Sequence, residues 1–241
     1  MSAPASARAD TEAVAPAVPP PEHAPTVADQ YAELASKAYE PRRVDIVLRA
    51  LDILIAGSAL LVLSPLLGLL ALLTLITSGR PVLYRGQRVG RAGRVFTMYK
   101  LRTLKPGAET RLGNTYGEEL SRRTEGEVTR VGRAARLTHI DEVPQLWNVL
   151  RGDMSIVGPR PVRPAFFNRL VDEVPQYWQR LVVRPGVTGF AQTRITREDS
   201  WEDKLIHDLE YIADRSVRLY LRVLGATIAR IIRLTLSGRN R

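Results

Sequence analysis

Two adjacent carboxylates, Asp141 and Glu142, stand in the chemically most suggestive part of the sequence. Pro144 suits the first turn of a helix, so we predict a helix from about Asp141 to Leu150 with Asp141 at or near its N-cap. A helix N-terminus favours anions and offers free N–H groups to phosphate. An ionised Asp in such a place can accept a phosphoryl group, and Glu142 could accept a proton or help to hold a metal. The alternative is a plain helix cap followed by a first-turn charge. Three arginines precede the pair: Arg130, Arg133 and Arg136.

The composition narrows the chemistry that is open to the chain. It has no cysteine, which excludes disulfides, thiolate metal sites and a thiol nucleophile, and its three histidines, His23, His139 and His207, are too scattered for metal-ligand spacing. The formal net charge is +10, and residues 80–136 carry fourteen Lys or Arg against five Glu. We expect this basic block to meet an anionic partner.

One uncharged segment has the length of a membrane helix. Residues 53–77 contain no charged side chain, and as a helix they would measure about 37 Å, against about 30 Å for a bilayer core. A buried helix of a soluble protein is the alternative, but it would be shorter and carry a polar stripe. Ser64 and Pro65 lie in the middle, and arginines flank both ends. A helix that breaks at Ser64-Pro65 and leaves by the face it entered would keep both basic flanks in the cytoplasm, whereas a single crossing would not.

The segments on either side differ in character. Residues 1–40 are rich in Ala and Pro, and we predict a disordered arm that is not a secretory signal. After residue 79 we predict strands at 81–85 and 95–104, with Met98, Lys100 and Arg102 on one face of the second strand. Two neighbouring cations would repel each other unless an anion lay between them, although an exposed edge strand tolerates the same pair. We predict a mobile loop at 106–127, a basic helix or turn before Asp141, and a short strand at 154–157 followed by the turn Gly158-Pro159-Arg160-Pro161.

Two later segments mix apolar residues with arginines. Residues 164–181 contain Phe166, Phe167, Tyr177 and Trp178, and residues 216–236 contain four arginines among Leu, Val and Ile. Both compositions suit helices in a lipid interface, and this is the interpretation that we favour because of the neighbouring membrane segment. Packed amphipathic helices of a soluble core have a similar composition.

The chain closely resembles the bacterial sugar transferases that act as monotopic polyprenyl-phosphate phosphoglycosyl transferases. The resemblance covers about two hundred residues, from about Pro41 to the C-terminal helix, and the ordered set of its motifs is specific. These motifs are PVLYRGQRVGRAGRVFTMYKLRTL, TRVGRAARLTHIDEVPQLWNVLRGDMSIVGPRPVRP, RPGVTGFAQ and HDLEYI.

The resemblance implies transfer of a sugar-1-phosphate from a UDP-sugar to undecaprenyl phosphate, with release of UMP. It makes Asp141 the nucleophile, which becomes a covalent sugar-phosphate ester and contacts Mg²⁺, and Glu142 its dyad partner. Mg²⁺ suits one or two carboxylates together with substrate phosphates. The remaining site residues that the resemblance implies bind the substrate: Lys100, Arg102, Arg136, Pro159, Arg160 and Pro161. We assign Asp153 only a structural role, as a polar anchor after the helix.

The chain departs from the family pattern at two places. Arg194-Ile195-Thr196 stands where many members have Asn-Gly-Arg, and Tyr220 stands where they have Asp. The donor sugar is therefore not carried over from the family.

The fold that we predict is a mixed α/β, membrane-associated domain with one re-entrant helix, interfacial amphipathic helices and a small sheet. The expected organisation is an arm (1–40), a re-entrant membrane helix (41–79) and a catalytic domain (80–241), which is the minimal form of the family.

The expected place of action is the cytoplasmic face of a bacterial inner membrane, in exopolysaccharide, O-antigen or glycoconjugate assembly. Membrane lipids and downstream glycosyltransferases are the expected partners, and nucleic acid is not. The alternative class is a membrane-anchored scaffold or nucleic-acid-binding protein, in which the basic block meets phosphate backbones.

Overall fold

A computed structural model describes residues 27–112, 117–195 and 200–237 of the chain. Its helices and two small sheets confirm the predicted mixed α/β class. Short 3₁₀ segments lie at Arg91–Gly93, Ile140–Glu142 and Pro175–Val182. The α-helices are α1 (Val27–Lys37), α2 (Arg43–Ser78), α3 (Ala108–Leu112), α4 (Gly117–Glu127), α5 (Arg130–Leu137), α6 (Gln145–Arg151), α7 (Pro164–Glu173), α8 (Phe190–Arg194), α9 (Trp201–Asp214) and α10 (Val217–Ser237), and the strands are β1 (Leu83–Val89), β2 (Val95–Leu101), β3 (Ser155–Val157) and β4 (Gly186–Thr188).

Helix α2 contains the predicted membrane segment. Among the described residues it is the one helix that is long and apolar enough to cross a membrane, and its most apolar stretch is almost entirely exposed. An exposed surface of this kind needs an apolar surrounding, so the alternative of a buried soluble helix does not apply. The helix continues through Ser64 and Pro65, where the Ser64 hydroxyl donates to the Leu61 carbonyl (2.9 Å).

Both ends of α2 are attached to the same folded domain. Near its start, Arg49 donates to the carbonyl oxygens of Val149 (2.7 Å) and Leu150 (3.0 Å) at the end of α6. At its end, the Ser78 carbonyl accepts from Arg102 (2.7 Å), just after β2.

Two sheets of two strands each form the β structure of the described chain. Strands β1 and β2 are antiparallel, with Tyr84 opposite Lys100 and Gly86 opposite Met98. The first strand extends to Val89, so the connection to β2 is shorter than the glycine and arginine turn that we predict. Strands β3 and β4 are parallel, and they hold the turn that follows β3.

The core connects α2 to the strands and helices of the rest of the domain. One cluster of buried apolar side chains includes Ala56 of α2, Met98 of β2 and Val149 of α6. Asp52 of α2 is buried among them, and it accepts from the Ile156 backbone N–H (2.8 Å) and from the Tyr220 hydroxyl (3.0 Å). Because the carboxylate has these partners, it fixes α2 to β3 and α10.

Three longer segments differ from what the sequence predicts for them. Within the predicted arm, α1 is a helix packed on the domain, with Ala35 buried and Tyr31 stacked on Trp178 (5.9 Å). Helices α3 and α4 occupy most of the predicted loop, because Glu127 binds Arg111 (2.6 Å) and ties the two helices together. Residues 1–26 of the arm, residues 113–116 of the loop and Thr196 lie outside the described residues.

The third difference concerns residues 164–181, for which a lipid interface is the wrong interpretation. Phe167, Leu170 and Tyr177 are buried in a second apolar cluster that also contains Ala35 and Leu205. Contact with protein therefore replaces the expected contact with lipid. Helix α10, by contrast, keeps exposed apolar side chains along its length, namely Leu221, Ile228, Ile232 and Leu236.

Candidate active site

The carboxylate pair lies in a 3₁₀ turn between α5 and α6, not at the start of a helix as we predict from the sequence. Pro144 has no N–H to continue an α-helix back to the Ile140 carbonyl, which instead accepts from the Val143 N–H (3.1 Å). Helix α6 begins only at Gln145. His139 has a left-handed backbone (φ 55°), which separates the turn from α5. Asp141 is therefore not a helix cap, and the helix dipole argument does not apply to it.

Lys100 brings the cationic strand to the dyad. Its Nζ lies 2.5 Å from Glu142 Oε1, and both side chains are partly buried. Strand β2 is fixed beside α6 by Asn148, whose side chain accepts from the Tyr99 N–H (3.1 Å) and donates to the Thr97 carbonyl (2.7 Å). The buried amide thus replaces a neighbouring strand at this edge of β2, and it sets the distance between Lys100 and Glu142.

The surroundings move the pKa values of the two carboxyls apart. Burial, with a further contribution from the Glu142 charge, raises the pKa of Asp141 to about 6, against the opposing effect of Lys100 and Arg136. The pKa of Glu142 is instead lowered, because the charges of Lys100 and Arg160 outweigh its burial. Asp141 is thus a poorly solvated carboxyl that becomes a reactive anion near neutral pH.

Arg136 and Arg102 make different contacts near the end of β2. Arg136 donates from Nε to the Thr103 hydroxyl (2.9 Å), and its charge acts on Asp141. Arg102 points to the end of the membrane helix, where it donates to the carbonyls of Ser78 and Gly79 (2.7 Å each). A cation at a helix C-terminus is stabilising, so the structure gives Arg102 an anchoring contact that the sequence did not indicate.

The turn Gly158-Pro159-Arg160-Pro161 places a third cation near the dyad. The Gly158 N–H donates to the Thr188 carbonyl, and the Gly186 N–H donates to the Pro159 carbonyl (2.9 Å each), so β4 supports the turn. A Cβ on Gly186 would lie only 2.1 Å from the Gly158 nitrogen, which explains the glycine there. Arg160 itself is exposed, and its charge reaches Glu142.

Asp153 lies after α6, as the structural role that we assign it requires. Its Oδ2 accepts from Asn148 Nδ2 (3.2 Å) and lies 3.6 Å from Arg151 Nε, so its contacts are with α6. Sequence reasoning missed Asn148 itself, although an Asn inside an otherwise apolar helix is a recognisable signal of a buried polar contact. It also missed the buried pair Arg180 and Asp208, because we interpreted the segment of Arg180 as lipid-facing.

The carboxylates fit only an open metal site. In the parts of the chain that the structure describes, no group of three or more His, Cys, Asp or Glu side chains could hold a metal ion. Lys100 already occupies one oxygen of Glu142, which makes Asp141 the more available carboxylate of the pair. Mg²⁺ commonly binds through one or two carboxylates with substrate phosphates completing its shell. The residues present fit that mode and not a protein-only cage.

A buried carboxylate among cations lies on a domain that is attached to both ends of an exposed apolar helix, an arrangement that suits a membrane-associated protein. The comparison with known families agrees with this description. The model of the bacterial sugar transferase family matches residues 43–234, and the chain belongs to that family.

Three relatives show how the similarity is distributed. An Aeromonas hydrophila UDP-N-acetylgalactosamine-undecaprenyl-phosphate N-acetylgalactosaminephosphotransferase is 37% identical over 187 residues, which cover 76% of the chain and 43% of the relative. A Komagataeibacter xylinus undecaprenyl-phosphate glucose phosphotransferase is 39% identical over 193 residues, 76% of the chain and 35% of the relative. The Rhizobium leguminosarum bv. phaseoli exopolysaccharide production protein PSS is 37% identical over 77% of the chain and 95% of its own length. The chain thus spans less than half of the first two relatives and nearly all of the third.

Proposed function

We propose that this protein transfers a sugar-1-phosphate from a UDP-sugar to undecaprenyl phosphate and releases UMP. The observation that carries this proposal is the buried Asp141, which has its pKa near 6 and is influenced by the charges of Glu142, Lys100 and Arg136. Such a carboxylate is anionic at neutral pH but poorly solvated, which suits a nucleophile toward phosphorus. The names of the relatives support both substrate classes, and the sugars in those names differ.

The reaction follows from the positions of these groups. A carboxylate oxygen of Asp141 attacks the β-phosphorus of the donor, and the bond from that phosphorus to the bridging oxygen breaks, so that UMP leaves with the oxygen. A phosphate oxygen of the acceptor then attacks the sugar-phosphate ester, and this step restores the Asp141 carboxylate and forms a diphosphate-linked sugar. Glu142 accepts a proton from the acceptor phosphate where that phosphate is protonated.

The basic side chains neutralise the phosphates in these steps. Lys100 lies against Glu142 and its charge also acts on Asp141, as does the charge of Arg136, while the charge of Arg160 acts on Glu142. Arginine suits this work because its planar guanidinium binds two phosphate oxygens at once. Pro159 and Pro161 restrict the turn that carries Arg160. Arg102 contributes by holding β2 against the end of the membrane helix.

Mg²⁺ is the metal that the site suits, and Asp141 would hold it together with the donor phosphates. When bound, it would offset the charge of the diphosphate and stabilise the leaving nucleotide. The residues of the chain supply the nucleophile and the positions of the cations.

The two attachments of α2 support a re-entrant arrangement. Because Arg49 and Ser78 each contact the same folded domain, they favour a topology in which both flanks of the apolar segment lie on one side of the bilayer. The basic residues on both flanks favour the cytoplasm as that side, at the bacterial inner membrane. A catalytic domain (80–241) held flat in this way brings Asp141 to the level where a lipid phosphate lies, and α10 adds exposed apolar contacts.

The pathway that we propose is the start of exopolysaccharide, O-antigen or glycoconjugate assembly, with downstream glycosyltransferases as users of the product. The name of the Rhizobium relative supports an exopolysaccharide role.

The test is UMP release by the purified protein with undecaprenyl phosphate, Mg²⁺ and a panel of UDP-sugars that includes glucose and N-acetylgalactosamine. Release that depends on one of these sugars supports the proposal. Wild-type protein that releases no UMP from any donor in lipid would overturn it.

A further inference from the structure

The turn that carries Arg160 cannot form a backbone ladder of its own. Pro159 and Pro161 have no N–H to donate. The start of the turn is held by the Gly186 N–H, which donates to the Pro159 carbonyl (2.9 Å), and the chain after it is held at the Val162 carbonyl, which accepts from the last residue of β1 (3.0 Å). Between these points, the backbone of Arg160 needs a partner from elsewhere in the molecule.

A buried arginine supplies that partner. Arg180, in the 3₁₀ segment after α7, donates from its Nη2 atom to the Arg160 carbonyl (2.9 Å). The same guanidinium lies 2.8 Å from Asp208 of α9, and it also donates to the Tyr177 hydroxyl. The side chains of Arg180 and Asp208 are each only 6% exposed. One planar group therefore connects the turn to two other elements.

A buried ion pair is an expensive way to hold a fold together. Removing two charges from water costs several kcal/mol, and a well-packed apolar pair is often equally stable. Stability alone therefore does not explain Arg180 and Asp208. What an apolar pair could not supply is a hydrogen bond to the carbonyl of Arg160, the residue whose exposed side chain carries a positive charge toward Glu142.

We propose that Arg180, oriented by Asp208, is a positioning residue that fixes the backbone of Arg160 so that its guanidinium meets the diphosphate of the donor. This inference rests on the proposed function and extends it. Arg180 need not touch the substrate, because its effect passes through the turn. Lysine cannot replace it, since a single ammonium lacks the planar fork that reaches three partners.

The experiment measures donor kinetics of the full-length protein in lipid, as UMP release against UDP-sugar concentration. For Arg180→Lys we expect KM for the donor to rise about tenfold while kcat changes less than about threefold, since binding geometry is what is lost. The matched control is Arg215→Lys, because Arg215 is another poorly exposed arginine in an ion pair, 2.7 Å from Asp45, with a backbone carbonyl as a further partner. This control should leave the donor KM unchanged.

A second background separates positioning from general damage. In Arg160→Ala protein the guanidinium that Arg180 positions is gone, so adding Arg180→Lys should raise the donor KM by less than about twofold. Asp208→Asn should raise the donor KM in the same direction as Arg180→Lys, and it serves as the test variant if Arg180→Lys does not fold.

Two results would overturn the inference while UMP release by the wild type continues. One is a donor KM in the Arg180 or Asp208 variant that equals the value of the Arg215→Lys control. The other is a full multiplication of the Arg160→Ala and Arg180→Lys effects. A wild-type protein that releases no UMP from any donor is a different result, which overturns the proposed function and this inference with it.

Discussion

Asp141 and Glu142 are chemically similar groups, one residue apart, that the protein treats in opposite ways. Burial and the neighbouring negative charge raise the pKa of Asp141, whereas Lys100 and Arg160 lower that of Glu142. The more basic carboxylate is the better nucleophile, and the negative charge of Glu142 helps to keep the pKa of Asp141 high. In the proposed reaction, the roles of the two carboxyls therefore depend on the contact of Lys100 with Glu142.

The pH dependence of the donor reaction should report this arrangement. Asp141 is neutral below its pKa and cannot attack, so kcat/KM for the donor should fall as the pH drops through about 6. Glu142→Gln removes the like charge and should move this acid limb to lower pH, even though the maximal rate falls. Lys100→Met removes a cation and should move it to higher pH.

Initial rates across the pH range in the three proteins measure these shifts. Lys105→Met is the matched control, because Lys105 is exposed and binds the Gly126 carbonyl (2.9 Å) away from the dyad. An acid limb that stays in place in both dyad variants would show that Asp141 does not control the reaction.

Residue types predicted the composition of the site better than its geometry. Adjacent carboxylates after a basic segment already indicated phosphate chemistry around Asp141. The 3₁₀ turn was not predictable. It depends on the left-handed backbone of His139 and on the Ile140 carbonyl, to which Pro144 has no N–H to donate. The contact of Arg102 with the end of the membrane helix joins residues 24 positions apart, which periodicity alone cannot bring together.

At the scale of elements, α1 shows how a polar helix depends on its neighbours. Its eleven residues are too few for a stable isolated helix, and an Ala/Pro-rich arm was the reasonable prediction from composition. Packing decides otherwise, because Ala35 is buried and Tyr31 stacks on Trp178.

Enlarging Ala35 should test that packing. Ala35 is 1% exposed, so Ala35→Leu should overfill the contact and lower the free energy of unfolding by about 1–3 kcal/mol. Ser36→Leu introduces the same side chain at the next position, which is exposed. This variant should alter the free energy of unfolding by less than about 0.5 kcal/mol. Thermal or denaturant unfolding in detergent measures both variants, and equal losses would contradict the packed helix.

For a related reason, composition predicts the wrong surroundings for the segment of Phe167 and Tyr177. Aromatic and arginine residues are equally at home at a lipid interface and in a protein core with buried ion pairs, so composition cannot distinguish the two. The structure supplies the missing information, since α1 and α9 cover this face. In α10 the corresponding face stays uncovered, with Ile228 and Ile232 about half exposed, and the interfacial position of that helix stays a prediction.

For the molecule as a whole, the membrane helix and the site form one connected structure. Asp52 joins α2 to β3, and β3 leads into the turn of Arg160. Arg102 joins the other end of α2 to β2, which carries Lys100. The position of the helix in the bilayer therefore determines the height of the dyad above it.

Cysteine labelling in intact cells should reveal the topology. The natural chain has no cysteine, and Ser36 and Gln87 are exposed positions on either side of α2. If both flanks are cytoplasmic, Ser36→Cys and Gln87→Cys should both resist a membrane-impermeant thiol reagent until the cells are lysed. Labelling of Ser36→Cys from outside would mean that α2 crosses the membrane once.

A variant with a straightened helix provides the contrast. Replacing Ser64 by Ala and Pro65 by Leu restores the backbone N–H that proline lacks and removes the ring clash, so both causes of a bend are gone. In this background the cysteine at position 36 should become accessible from outside, and UMP release should fall because the domain no longer lies flat. Unchanged labelling would show that Ser64 and Pro65 do not determine the topology.

Asp141→Asn keeps the shape of the side chain and removes its charge, so it is the control for the covalent chemistry. It should also fold at least as well as the wild type. A carboxyl whose pKa rises from 3.8 to about 6 on folding costs up to about 3 kcal/mol of stability above that pH, and none below the unfolded value. The amide does not carry that penalty, so the unfolding temperature at pH 8 should not fall.

Intact-peptide mass spectrometry tests for the covalent ester on Asp141. Wild-type protein incubated with Mg²⁺ and a UDP-sugar that it turns over, without acceptor, should gain the mass of one sugar-phosphate on the peptide that contains Asp141. The added mass should disappear when undecaprenyl phosphate is supplied, and Asp141→Asn protein should never acquire it. An adduct on a different peptide, or UMP release by the Asp141→Asn variant at more than about a tenth of the wild-type rate, would contradict this account.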